Sequence, residues 1–225
     1  MQPDPKGYAI RIDNLFFKVK ITRRNRTVSM PAPLVMKCGG SLLSRVPGIV
    51  RELEECNRPL LLVPGGGPFA ENVRQLSLPD EESHWMAIAG MEQMGWYLAA
   101  HGLPVQDTLE IPDGPTVLLP YRLLRERDPL PHTWSVTSDT IAAWVASEVH
   151  LDLLLLKSVD GIRCNGVVQE RIDRLCECEE VDPLLIPFVL THGVRAVILN
   201  GQKPGVVSAY LERGEGAGTV IDTRF

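Results

Sequence analysis

Short, almost wholly apolar runs recur along the chain, each followed by a longer segment in which apolar residues return every three or four positions. Runs of that length bounded by Gly, Pro or Asn read as strands buried on both faces, and the longer segments as amphipathic helices. The pattern predicts strands over residues 34–37, 60–63, 116–119, 153–157, 195–199 and 219–221. It predicts helices over residues 42–55, 68–76, 81–100, 138–149, 183–192 and 204–213. Asn165-Gly166, between Ile162 and Val168, signals a small antiparallel hairpin. Strands that alternate with helices argue for an α/β fold, a three-layer αβα sandwich with an open, mainly parallel sheet.

The candidate chemistry gathers where predicted strands end. The first run, LVMKC, delivers Lys37 and then Gly39, Gly40 and Ser41. The second, PLLLVP, empties into Gly65, Gly66 and Gly67. Glycine lets the backbone approach an anion with no Cβ in the way, and the helix that follows presents free N–H groups to negative charge. Two such loops suggest two anions facing each other, yet neither is a GxxxxGK[ST] loop nor a GxGxxG fingerprint. A tight turn alone would also account for either loop.

Further along, Asp139 falls in the first turn of a helix capped by Thr137 or Ser138, where an acid favours the helix dipole without needing any other role. The run at 153–157 ends in Lys157 and continues as Ser158, Val159, Asp160 and Gly161. The carboxyl edge of a parallel sheet is where α/β proteins bind ligands. A last strand leads to Gly201, Gln202, Lys203 and Pro204 in the same situation. Arg74, His132 and Trp134 are candidates for lining a ligand pocket. The helix over 81–100 carries His84, Trp85, Met86, Met91, Met94, Trp96 and Tyr97, more large side chains than one buried stripe needs. Two-sided core packing and contact with a second subunit both account for it.

Charge sharpens this picture. The net charge of −5 hides a basic start: residues 1–30 hold seven Lys/Arg against two Asp, leaving 16 basic and 26 acidic residues for the rest, so the body is not a nucleic-acid binder by charge. Residues 1–33 read as a basic, Pro-punctuated extension with little to pack, and deletion of residues 1–29 should leave fold and activity intact. The five cysteines, at 38, 56, 164, 176 and 178, show no CxxC spacing and suggest free thiols in a reducing cytoplasm. No HExxH occurs, so no dedicated metal site is expected, and no apolar run is long enough to span a bilayer.

The ordered segments VMKCGGSLL, LLVPGGGPFAENV, VTSDTIAAWVA, LLLLKSVDGI and GVRAVILNGQKPGVV, closing with GAGTVI, resemble the amino acid kinase superfamily over about residues 34–225. The SHWMAIAGMEQMGWYLA and LPHTWSVTSDTIAAWVAS stretches are most similar to its aspartokinase-related branch, which contains the (aminomethyl)furanylmethyl phosphate kinase of methanofuran biosynthesis. The resemblance implies an acceptor lobe over about residues 34–150 and an ATP lobe over about residues 151–225. It implies catalytic roles for Lys37 and Asp139, with Lys157 supplying charge. ATP would be held by Gly39, Gly40, Ser41, Ser158, Asp160, Gly161, Gly201, Lys203 and Pro204, and the acceptor by Gly65, Gly66, Gly67 and Arg74. Magnesium would travel on the nucleotide. The implied activity is transfer of the γ-phosphoryl group to an anionic acceptor, a phosphomonoester giving a diphosphate. The alternatives are a carboxylate giving an acyl phosphate, or nucleotide and anion binding without turnover. A homodimer or larger homo-oligomer is expected. One departure stands out: the region where many members carry a GGM-type motif with a second lysine reads CECEEVDPLLIPFV. Lys157 or Lys203 is left to supply that charge.

Overall fold

The computed structural model describes residues 32–56 and 58–223. The chain opens with β1 (Leu34–Cys38), a 3-10 helix (Gly40–Arg45), α1 (Val46–Cys56) and β2 (Leu60–Pro64). Then come α2 (Gly67–Gln75), α3 (Asp80–Ala99), β3 (Val105–Gln106), β4 (Pro115–Leu118) and α4 (Tyr121–Arg127). The second half contains α5 (Ser138–Glu148), β5 (Leu153–Lys157) and the short strands β6 (Arg163–Cys164), β7 (Val167–Val168) and β8 (Arg171–Ile172). It closes with α6 (Leu185–His192), β9 (Ala196–Asn200), α7 (Val206–Arg213) and β10 (Gly218–Ile221).

Eight strands form one sheet in the order β3-β4-β2-β1-β5-β9-β10-β8. The six from β3 to β9 run parallel, while β10 lies antiparallel to β9 and carries β8 parallel to itself. β6 and β7 form the hairpin that Asn165-Gly166 announces, with Asn165 at φ 53° and Gly166 at φ 79°. Alternation along the central strands divides the interior in two. Val35, Leu61, Val63, Leu153, Leu155, Ala196 and Ile198 pack on one face under α5 and α6. Leu34, Met36, Leu60, Leu62, Leu154, Leu156, Val197 and Leu199 pack on the other under α1 and α7. The three-layer αβα arrangement with a mainly parallel sheet is therefore present.

The differences from the sequence pattern have local causes. Two-residue strands such as β3 and β8 are too short to show a period, and α4, seven residues with basic charge at its end, lacks a run long enough to declare itself. The helix expected from residue 42 begins as a 3-10 turn, and the helices expected from Pro183 and Pro204 start two residues later, at Leu185 and Val206. α3 does bury two faces, giving Ile88 and Met91 to one core and Met94 and Leu98 to the other. Met86 and Trp96 nonetheless remain 41% and 56% exposed. The expectation of free thiols needs correction, because Cys164 and Cys176 are joined as a disulfide that ties β6 to the loop after β8, leaving Cys38, Cys56 and Cys178 free. The pairing depends on a fold-back of the chain that spacing does not reveal. No described helix is long and apolar enough to cross a membrane. The basic extension expected over residues 1–33 lies outside the described residues, save Ala32 and Pro33.

Candidate functional site

Strand register brings the charged residues together. Lys37 lies beside Leu155 in the β1–β5 pairing, so Lys37, Leu155 and, two residues on, Lys157 share one face of the sheet. That face is covered by α5, whose first turn carries Asp139. The result is a buried triad: Lys37 Nζ lies 2.8 Å from Asp139 Oδ1, and Lys157 Nζ donates to Asp139 Oδ2 at 2.6 Å. Lys37 is 4% exposed and Asp139 2%. The Lys37 contact is an ion pair without hydrogen-bond alignment, so Oδ1 has a charge partner yet no directed donor.

Burial by itself would push the Asp139 carboxyl up, but the two ammonium groups together outweigh it and hold its pKa down to about 2. Lys157 is shifted the other way. Its burial and the neighbouring Lys37 charge lower it, against the pull of Asp139. Two cations over one anion leave the triad with an excess positive charge, which a buried site tolerates best when an anionic ligand arrives.

The two glycine loops do not face each other across a gap; they touch. A Cβ on Gly40 would lie 2.1 Å from the Gly67 Cα, and one on Gly65 would lie 2.8 Å from the Gly40 nitrogen. The loops thus form one continuous floor. Above it lies a cavity of about 670 Å³ bounded by Lys37 and Lys157, by Gly39, Gly40, Ser41, Gly66 and Gly67, and by Arg74 and Trp134. Its remaining walls are largely apolar, with Ala70, Ala87, Ile88, Met91 and Ile141 prominent. The Arg74 guanidinium sits 4.2 Å from the Trp134 ring centroid, a stacked pair that closes one side.

The other expected residues lie along the same sheet edge, outside the cavity. Gly65 sits beneath the floor. Gly201 donates its N–H to the Lys157 carbonyl at 2.8 Å, which ties the β9 end to the β5 end. Asp160 pairs with Lys203 at 2.6 Å and accepts from Asn200 Nδ2 at 2.8 Å. Ser158, Lys203 and Pro204 are exposed there, and Gly161 is buried against Thr219, with φ at 157°. The structure therefore groups the expected residues into two sets, one around the cavity and one around the Asp160–Lys203 pair.

Three features go beyond the sequence reading, which named His132 only as a candidate wall; Arg74 and Trp134 line the cavity and His132 does not. His84 lines the cavity, stacked on His132 with centroids 4.2 Å apart. His132 is anchored by Asp128 at 2.7 Å. His84 is driven down to about 4 by burial and then by His132, with Asp128 opposing. Although His84, Asp128 and His132 place three ligand-type atoms within 4.8 Å of one another, the imidazole planes lie only 18° apart. A single ion cannot lie in both ring planes, so the arrangement is an Asp–His pair with a second imidazole resting on it. The third feature is Asp182. Thr137 stands at the N-cap as expected but makes no side-chain capping bond, and Asp182 supplies the acceptor from outside the helix, taking the Thr137 and Thr140 backbone N–H groups at 2.9 and 3.0 Å. A VDP tripeptide in a loop gives no signal of such a reach.

Residues 32–183 match the model of the amino acid kinase family. The chain is 28% identical, over an alignment spanning 79% of it and 92% of the relative, to the (5-(aminomethyl)furan-3-yl)methyl phosphate kinase of Methanocaldococcus jannaschii. Its fold is similar to that of the UMP kinase of Bacillus anthracis, at 14% identity and a TM-score of 0.63, covering 86% of this chain and 96% of that one. It is similar also to isopentenyl phosphate kinase, at 16% identity and a TM-score of 0.58, covering 84% and 100%. These last two likenesses bear on fold alone, but a family match running from the first described strand, through both glycine loops and the Lys37–Asp139–Lys157 triad, makes the chain a member of the amino acid kinase family.

Proposed function

We propose that the protein is an ATP-dependent phosphotransferase that moves the γ-phosphoryl group onto a small phosphomonoester, giving a diphosphate and ADP. The observation that carries this reading is the buried triad with its excess positive charge at the head of a cavity floored by two glycine loops. Phosphoryl transfer asks for positioning and charge compensation rather than covalent help. In this reading an acceptor phosphate oxygen attacks the γ-phosphorus, the bond to the β-phosphate bridging oxygen breaks, and Lys37 and Lys157 offset the charge on the oxygens in flight. Asp139 holds both ammonium groups in place and opposes the loss of the Lys157 proton. Gly39, Gly40 and Ser41 line the path of the ATP phosphates, while Ser158, Asp160, Gly161, Gly201, Lys203 and Pro204 form the nucleotide side. Gly65 to Gly67 and Arg74 serve the acceptor.

Both Asp139 oxygens face ammonium groups, so a divalent cation finds no free carboxylate at the triad. Mg2+ would come with ATP and would offset the charge of its phosphates there. The apolar walls and Trp134 suit an acceptor with a compact, flat or hydrocarbon body, in keeping with the substrate in the archaeal relative's name. The test is ADP release with a panel of acceptors: (5-(aminomethyl)furan-3-yl)methyl phosphate, isopentenyl phosphate, uridylate and acetylglutamate. The first should give the highest kcat/KM. Preference for uridylate or acetylglutamate refutes the acceptor class, and nucleotide binding without turnover on any acceptor refutes catalysis.

We also propose a homodimer formed through the face of α3 that exposes Met86 and Trp96. Trp96→Glu should halve the mass measured by light scattering; a monomeric wild type at micromolar concentration removes the proposal.

A further inference from the structure

We propose that Asp182 is a positioning residue for the triad, a lock that fixes the first turn of α5, and hence Asp139, against the start of α6. This rests on the phosphotransferase reading above. Asp182 is 7% exposed and its carboxylate accepts five hydrogen bonds. One oxygen takes the Thr137 N–H, the Thr137 hydroxyl and the Thr140 N–H at 2.9 to 3.0 Å. The other takes the Thr140 hydroxyl and, at 3.0 Å, the Leu185 N–H. Four of those donors flank Asp139 in sequence, and the fifth belongs to α6.

A carboxylate buried at such a cost is retained only where the donors around it are fixed, because each unmade bond would leave a buried polar group unsatisfied. What it fixes is the stretch on which Asp139 depends. Residues 137–140 form little more than one helical turn, so a small rotation of that turn moves the Asp139 carboxylate away from both lysines. The Thr137 that Asp182 grips also lines the cavity. The lock comes from the segment where the family resemblance leads one to expect a lysine and where this chain has Glu180, Val181 and Asp182. An acid at this place does not repeat the missing cation's work. It stiffens a two-lysine site and adds its own field. Burial and the charge of Asp139 push Asp182 upward, the threonine donors oppose this, and Asp182 in turn favours the charged form of Lys157.

The groups that face Lys157 are Lys37 from β1, Asp139 from α5, Asp182 from the loop before α6, and the Cys178 thiol. Removing the Asp182 charge therefore lowers the pH at which Lys157 loses its proton. The experiment compares wild type with Asp182→Asn, which keeps the size but turns one acceptor into a donor, and with Thr140→Val, which deletes one of the five donors. Asp182→Asn should lower kcat by about 10-fold to 10²-fold, the scale of misplacing a catalytic group by a fraction of an ångström to one ångström. KM for ATP should change little, and the alkaline limb of the kcat profile should move to lower pH. Thr140→Val should lower kcat less, with the limb in place. The Lys157 side-chain nitrogen, followed by NMR, should titrate at lower pH in Asp182→Asn than in wild type.

A kcat for Asp182→Asn within about twofold of wild type, or a Lys157 titration that does not move, overturns the proposal. If Asp182→Asn fails to fold, an unchanged kcat in Thr140→Val overturns it equally. Wild type without acceptor-dependent turnover defeats the phosphotransferase reading instead, and the Lys157 titration still decides the role of Asp182.

Discussion

Two ion pairs at the carboxyl edge of the same sheet share a separation of 2.6 Å and little else. Lys157 and Asp139 meet with side chains 18% and 2% exposed, whereas Lys203 and Asp160 meet with side chains 57% and 60% exposed. Water screens the second pair, and its partners can part at little cost. The first pair has surrendered its hydration and is held by the mutual satisfaction of three charges, so removing one member leaves the others buried and uncompensated. Distance alone therefore says nothing about what a pair does. The buried triad is held fixed by the mutual need of its charges, whereas the exposed pair can exchange partners at little cost.

The largest expected effect sharpens this contrast at the triad. Lys37→Met should cut kcat by about 10²-fold or more, the scale of losing one preorganised charge-stabilising contact. Rapid-quench turnover at saturating ATP and acceptor measures it, and a loss confined to KM would demote Lys37 to a binding group.

Next in size, Asp139→Asn should lower the unfolding free energy by about 3 kcal/mol or more, because two buried ammonium groups lose their counter-charge. It should lower kcat while leaving calorimetric ATP binding nearly as before. The pH dependence has a definite sign. Asp139 is depressed from 3.8 to about 2 in the folded state, so its stabilising contribution is present above the unfolded value and is lost as pH falls through the folded one. Denaturant unfolding between pH 5 and 2 should show wild type losing stability more steeply than Asp139→Asn. Parallel curves would mean that the Asp139 charge contributes nothing to stability.

The smallest effect belongs to the exposed pair. Asp160→Asn should leave the melting temperature unchanged within error, while KM for ATP shifts by about tenfold or less and kcat is retained. A clear fall in melting temperature would break the comparison by giving the surface pair a structural role.

Much of the fold is written locally. Alternation within residues 34–38, 60–64 and 153–157 assigns successive side chains to opposite faces, and the glycines after each run mark where the strands stop. Lys37, Lys157 and Asp139 were thus legible as strand-end and helix-start residues. Asp182 was not, since nothing near it in sequence distinguishes a lock from an ordinary loop acid. His84 was passed over because a histidine on a crowded helix carries no sign of the cavity it borders. The disulfide and the reversal of β10 were equally silent, one depending on how the chain folds back and the other on which way a four-residue strand enters the sheet.

What the sequence by itself determined is the inventory: which runs are strands, which segments are helices, and which residues stand at their ends. Hydrophobic period, glycine and proline act over a few residues, and their effects can be read over that range. What only the tertiary structure decided is which of those ends meet. Lys37 and Lys157 share a carboxylate because the β1–β5 register turns both to the face that α5 covers, and Asp182 reaches residues 137–140 because α6 packs beside α5. Register and helix packing are settled by the energy of the whole core, since shifting β5 by one residue would turn Lys157 to the opposite face from Lys37 and separate the charges.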